Sequence, residues 1–296
     1  MMALAIVVGC SVLLLLGLFL VARWGSWRLK APATSGTQRS GNDLDDPEAR
    51  NEAKLRALHR YFWWANVASF AALVSALLAG WPGGRLAMRV LAFTSPDSAQ
   101  GRLTEAQANV GFPTLEGSMA LLLFGGLPAG YLAAVLYAAL HRWLPAGRLG
   151  GPVFGVILLL WLGAVLDPLR PDNIDFNIVG PGWLSVALFA GLSVLHGALT
   201  VAAACWFSNR LPLWSDKAAR YYLPLLLGSV LFPPAAVGVG LGALLILIWM
   251  TVFPARAPAR RRRFPTWAGA AAITAVSAAV LPGFIAAAVS IASRPG

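Results

Sequence analysis

Three carboxylates, Asp167, Asp172 and Asp175, fall within nine residues of the stretch LDPLRPDNIDFNIVGPGWL, residues 166–184. Hard oxygen ligands this close together suit Ca²⁺ or Mg²⁺, and paired carboxylates can also exchange protons with a substrate. The spacing argues against both. It lacks the D-x-D-x-D-G pattern of a calcium loop, Pro168 follows Asp167, and Arg170 is placed to neutralise one of the three. Pro171-Asp172-Asn173 is a turn sequence. The expected role is to shape and solvate a loop, with a cation or ligand site as the alternative. Glu116 is the fourth candidate for such a site; it stands in the first turn of a predicted helix, where a carboxylate also complements the helix dipole.

Ser193 and His196 are one turn apart inside an apolar run. An ionisable side chain within a membrane span is a functional candidate, and a Ser/His pair suggests a nucleophile and its base. No G-x-S-G surrounds this serine and no carboxylate is at hand to orient the imidazole, so the pair is expected to make interhelical polar contacts. His59 and His141 are isolated, no Walker-type phosphate loop occurs, and Cys10 and Cys205 lie far apart in apolar runs. Neither a zinc set nor a disulfide framework nor a CxxC redox pair is available. The reading is of a non-enzymatic protein with no cofactor and no metal. One basic cluster, Arg256 with Arg260, Arg261, Arg262 and Arg263, resembles a nucleic-acid patch, but it lies between two apolar runs, where anionic headgroups are the nearer partner.

The elements that would hold these residues are membrane helices. Of 296 residues 58% are hydrophobic and 12% charged, against roughly 25% charged in an ordinary soluble domain. Apolar runs recur at 2–22, 61–80, 117–140, 151–166, 183–207, 221–253 and 266–292, most of them near the ~20 residues that cross a hydrocarbon core of about 30 Å. Lys and Arg, which concentrate in cytoplasmic loops, set the orientation. If 221–253 is split at Pro233-Pro234 into a hairpin of two spans, 18 basic residues lie inside and 5 outside; as a single kinked helix it gives 14 and 9. The expected fold is therefore an all-α transmembrane bundle of about eight spans, or seven if 221–253 is one kinked helix, with both termini outside. Eleven of the 12 tryptophans lie near the proposed span ends, at headgroup level, and only Trp161 sits deeper.

Residues 1–24 read as an uncleaved membrane anchor, and 25–60 as a cytoplasmic linker and stalk. The polar tether APATSGTQRSGNDLD ends where Asp46, Pro47 and Glu48 start a helix, and Glu52 and Arg56 form an i,i+4 pair on it. Residues 61–296 form the bundle, with outer loops 81–116 and 167–182. In the first loop GRLAMRVLAF suggests an interfacial helix presenting Leu86, Val90 and Phe93, and SPDSAQG one helical turn. RLTEA, NVGFPTL and the alternating IDFNIV suggest short strands that pair into a small cap with β-hairpin pieces.

The segment MRVLAFTSPDSAQGRLTEAQANVGFPTLEGSMALLLFGG, followed by IDFNIVGPGWLSVALFAGLSVLHGAL, resembles a group of uncharacterised multi-pass membrane proteins from actinobacteria. The resemblance is carried by Thr94 to Asp97, Gly101 to Thr104, Asp175-Phe176 and Pro181 to Leu184, and covers about residues 84–200. It implies a bacterial cytoplasmic membrane and a shared outer cap, and transfers no catalytic residue. The function expected is an accessory or scaffolding component with a membrane-protein partner. A transporter or channel for a small solute is the alternative, because Pro128, Pro233-Pro234 and Pro282 can break helices near a midplane site. Small-residue faces for helix contact occur at Gly126 and Gly130 and at Gly238 and Gly242.

Overall fold

A computed structural model describes residues 2–30, 47–106, 108–166, 168–212, 220–252 and 266–294. The chain is an all-α bundle: α1 (Met2–Trp24), α2 (Pro47–Ser75), α3 (Trp81–Thr94), α4 (Leu115–Ala120), α5 (Leu127–Leu140), α6 (Gly150–Leu162), α7 (Gly182–Ser208), α8 (Leu223–Leu231), α9 (Pro233–Val252) and α10 (Thr266–Ala292). Six of its helical stretches are long and apolar enough to cross a membrane, and Gly147–Leu162 is a shorter apolar helix. The polar tether and the arginine cluster fall outside the described residues.

Two of the long stretches are not continuous α-helix. Five-residue-spaced hydrogen bonds widen Ala76–Gly80 and Leu121–Gly126 into π turns, closed by Trp81 N–H to the Ala76 carbonyl and Leu127 N–H to the Leu122 carbonyl. The cause is the proline that follows each turn, Pro82 and Pro128. Proline has no N–H to donate, and its ring collides with the carbonyl four residues back; a wider turn moves that carbonyl aside. Residues 81–94 are therefore not a separate interfacial helix. They continue α2, and they bury Ala87, Leu91 and Ala92 while Val90 and Phe93 face outward.

Packing is tightest where side chains are smallest. A Cβ at Gly155 of α6 would stand 2.6 Å from the Val194 Cα of α7, and one at Gly197 would stand 2.3 Å from the Gly155 Cα. Between apolar helices in lipid there is little hydrophobic drive, so such close backbone approach and the dispersion it gains hold the pair together. At one end of the bundle Trp24 stacks on Trp206 at 4.4 Å, Arg210 lies over Trp206 and Trp27, and the Trp63 indole donates to the Leu211 carbonyl. Gly269, near the start of α10, meets Trp143 at that same end. At the other end Arg294 donates to the Asn173 and Pro171 carbonyls, so α10 runs the length of the bundle.

The segment after α7 turns back on itself. Asn66 of α2 donates to the Tyr221 carbonyl and accepts from Leu225 N–H, Gly228 lies against Ser69, and Phe232 packs on the cluster of Leu73 and Ala76. After the break at Phe232 the chain returns: the Tyr61 hydroxyl donates to the Val239 carbonyl at 3.0 Å, and Gly242 sits against the same phenol. So α8 ascends along α2 and α9 descends. The expected hairpin shape is present, but α8, with 9 residues, rises only about 14 Å and is no span.

The β pieces of the cap do not form. Among the described residues there is one isolated bridge, Leu103 to Asn109, and no strand. IDFNIV, expected to be extended, is a 3₁₀ turn over Ile174–Asn177, opened by the Asn173 side chain accepting from Asp175 N–H. That local bond outcompetes a two-residue alternation with no partner strand beside it.

Candidate functional site

The carboxylates of the loops around 105 and 172 are held by charge and by backbone. Arg170 grips Glu105 with both contacts at 2.7 Å and reaches Asp172 at 3.4 Å. Asp175 accepts the Glu105 N–H at 2.7 Å. Burial pushes the Asp175 carboxyl above the ordinary carboxylate range; the hydrogen bond from Glu105 N–H and the nearby Arg170 oppose that, and the Glu105 charge adds to it. Asp167 lies outside the described residues, and Glu116 is exposed in the first turn of α4. No group of three or more metal-ligating side chains occurs among the described residues. The arrangement ties the 101–110 loop to the 168–182 loop.

A second constellation lies deep in the bundle. The π turns of Ala76–Gly80 and Leu121–Gly126 face each other, so that a Cβ on Gly80 would stand 3.6 Å from the Gly126 Cα and 3.6 Å from His196 Nδ1. His196 lies near the middle of the 27-residue α7 and is buried. The Ser75 and Ala129 carbonyls, one from each broken helix, lie beside the ring. Among the described residues neither Nδ1 nor Nε2 completes a well-aligned hydrogen bond. A neutral imidazole has one donor and one acceptor nitrogen; facing two carbonyls it can satisfy one and must turn a lone pair toward the other.

The interhelical polar contact expected of His196 is present as the approach of its ring to the Ser75 and Ala129 carbonyls of two other helices, whereas Ser193 makes none across helices among the described residues. Ser193 donates at 2.9 Å to Phe189 in its own helix, which satisfies its hydroxyl locally. His196 is in contact with two other helical segments and can bond at most one of the two carbonyls they present. The sequence reading put Pro82 in an outer loop and so missed its pairing with Pro128. The available signal was a shared G-x-P-x-G: Gly80, Pro82 and Gly84 in LLAGWPGG, and Gly126, Pro128 and Gly130 in LFGGLPAG.

Compared with known proteins, the chain matches no family, no curated protein and no solved structure.

Proposed function

We propose that this chain is a multi-pass protein of a bacterial cytoplasmic membrane and that it is a carrier or channel for a small polar solute, working through the junction around His196. The observation that carries the reading is the pairing of two proline-broken helices about a buried imidazole that faces two carbonyls, can satisfy at most one of them, and completes no well-aligned hydrogen bond among the described residues. Ionisable groups and interrupted helices at membrane mid-depth are where transporters place their sites, and a polar group left unpaired in hydrocarbon is expensive unless it serves a passing ligand.

In this reading α1, α2–α3, α4–α5, α6, α7 and α10 cross the membrane, and α8–α9 form a re-entrant hairpin from the cytoplasmic side. Six crossings leave both termini outside, with the cap at 95–114 and 168–181. The linker and stalk of 25–60 and the arginine cluster then lie inside, beside anionic headgroups.

The test uses a single cysteine at Ser75, in a background with Cys10 and Cys205 replaced by serine. Ser75 is fully buried beside His196. A water-soluble, impermeant methanethiosulfonate should modify it from each face of sealed vesicles, because a transport site must open to both. Absence of modification from either face, over hours and in native membranes, would leave the accessory reading. That second reading has its own support: α9 buries none of its residues, and Gly238 and Gly240 have no atom within 4 Å of a built Cβ, a surface suited to another membrane protein.

A further inference from the structure

Arg85, Arg89, Arg102, Arg170 and Arg294 lie at the capped end of the bundle or within reach of it. Arg170 is neutralised by Glu105 and Asp172, and Arg294 donates to the Asn173 and Pro171 carbonyls. Arg85 and Arg89 of α3 are different. Arg89 donates to the Gly111 carbonyl at 2.7 Å, and the Arg85 Nε is buried with no partner among the described residues. Neither makes an ion pair with a carboxylate among the described residues. Both line a narrow recess with Ile6, Val7 and Cys10 of α1 and with Pro113.

The route of Arg85 is specific. Its Nη2 lies 3.2 Å from the place where a side chain on Gly117 would begin, so the absence of that side chain lets the guanidinium reach past the start of α4. From a position one turn beyond the π turn, a long side chain carries its charge toward the interface, as arginines near span ends do. Two uncompensated guanidiniums at headgroup level are costly without an anion. Arginine matches a phosphate geometrically, offering parallel donors to two oxygens.

We propose that Arg85 and Arg89 bind the phosphodiester of an anionic phospholipid in the leaflet on the capped side, with its acyl chain against Ile6 and Val7 of α1. This site does not depend on the transport reading. A phospholipid is favoured over free phosphate because the recess is walled by apolar α1 side chains that only a lipid tail would use.

The experiment measures thermal unfolding of delipidated protein in a neutral detergent, titrated separately with phosphatidylglycerol, phosphatidylcholine, diacylglycerol and inorganic phosphate. Phosphatidylglycerol should raise the melting temperature at concentrations at least tenfold below phosphatidylcholine, and diacylglycerol and inorganic phosphate should leave it unchanged. The double variant Arg85→Gln/Arg89→Gln should lose at least tenfold in apparent affinity for phosphatidylglycerol, whereas Arg102→Gln, on an exposed arginine of the cap loop, should not. Gly117→Val keeps both guanidiniums but fills the path of Arg85, and should weaken the response as well; it serves if the double variant does not fold. An unchanged phosphatidylglycerol response in the folded variants overturns the site. An equal shift with inorganic phosphate alone overturns the lipid as its ligand.

Discussion

Replacing His196 by leucine separates a satisfied structural histidine from an unsatisfied functional one, because the two predict opposite signs. Leucine is close to histidine in volume, so the substitution leaves little cavity or overpacking. The ring faces two carbonyls and can bond at most one, so at least one nitrogen stays without a partner among the described residues, and a buried unsatisfied polar group costs about 1–3 kcal/mol. Chains unfolded within a membrane also leave polar groups imperfectly paired, which cancels part of that penalty. The expected result is a protein about 1–2 kcal/mol more stable than the natural one. His196→Asn keeps a polar group in a smaller volume and should bring no such gain. The assay is equilibrium unfolding in mixed detergent micelles, followed by tryptophan fluorescence at constant pH. If histidine were interhelical glue, leucine would instead lower stability by roughly 0.6 kcal/mol and asparagine would retain most of it. Loss of stability with leucine and rescue by asparagine would refute the argument. Together with gained stability, His196→Leu should slow modification of a cysteine at Ser75, since an apolar side chain removes the polar group that draws water into the junction.

Gly155→Ala should destabilise by about 1–3 kcal/mol in the same assay, the usual range for overpacking, because its methyl would lie 2.6 Å from the Val194 Cα; Gly191→Ala, with nothing within 4 Å, should be neutral or slightly stabilising. Asp175 in the folded chain holds its proton above the ordinary value of 3.8, so its ionisation lowers stability as pH rises through that value and beyond. Asp175→Asn, which keeps an acceptor for the Glu105 N–H, should be more stable than the natural chain at neutral pH and indistinguishable below about pH 3 in acid unfolding. Adding Ca²⁺ or Mg²⁺, or removing both with a chelator, should leave the melting temperature unchanged, since Arg170 already occupies Glu105 and Asp172; a metal-dependent rise would restore the outer loop as a metal site. A single cysteine at Ala259 should react with an impermeant maleimide from the same face as one at Arg148, and reaction from the opposite face would sink the re-entrant hairpin.

The helical class was legible in composition, and so was the reversal at Pro233-Pro234, because proline pairs and apolar runs act over a few residues. The cap was misread for the opposite reason. IDFNIV alternates as a strand does, but a strand needs a neighbour to bond with, and Asn173 supplies the local alternative at 2.8 Å. The three loop carboxylates were legible only as a loop; that Arg170 would choose Glu105, 65 residues away in the chain, depended on two loops meeting. His196 was singled out by type and depth, as an interhelical polar contact. Its incomplete bonding was hidden, since that follows from two π turns whose positions are set by Pro82 and Pro128.

Those two turns also bear on how the junction can move. A π turn holds about one residue more than an α turn, so returning one to α geometry would rotate the helix beyond it by about 100°. Rotation on that scale would carry Gly80 or Gly126 away from His196 and put a bulkier side chain in its place. Pro82 and Pro128 oppose the return, because in a regular helix each ring meets the carbonyl four residues back, Leu78 or Phe124. The displaced backbone is accommodated by glycines elsewhere: the Leu78 carbonyl points at Gly17 of α1, and the Ala72 carbonyl at Gly130 of α5, at distances that a Cβ would close to 2.7 and 2.5 Å. Each contact is backbone against backbone, without a side chain to interlock, and in lipid such contacts rest on dispersion rather than on hydrophobic drive. A sliding motion of the broken helices past α1 and past each other would therefore leave few side chains to unlock, and His196 stands where such a motion would open the bundle to water.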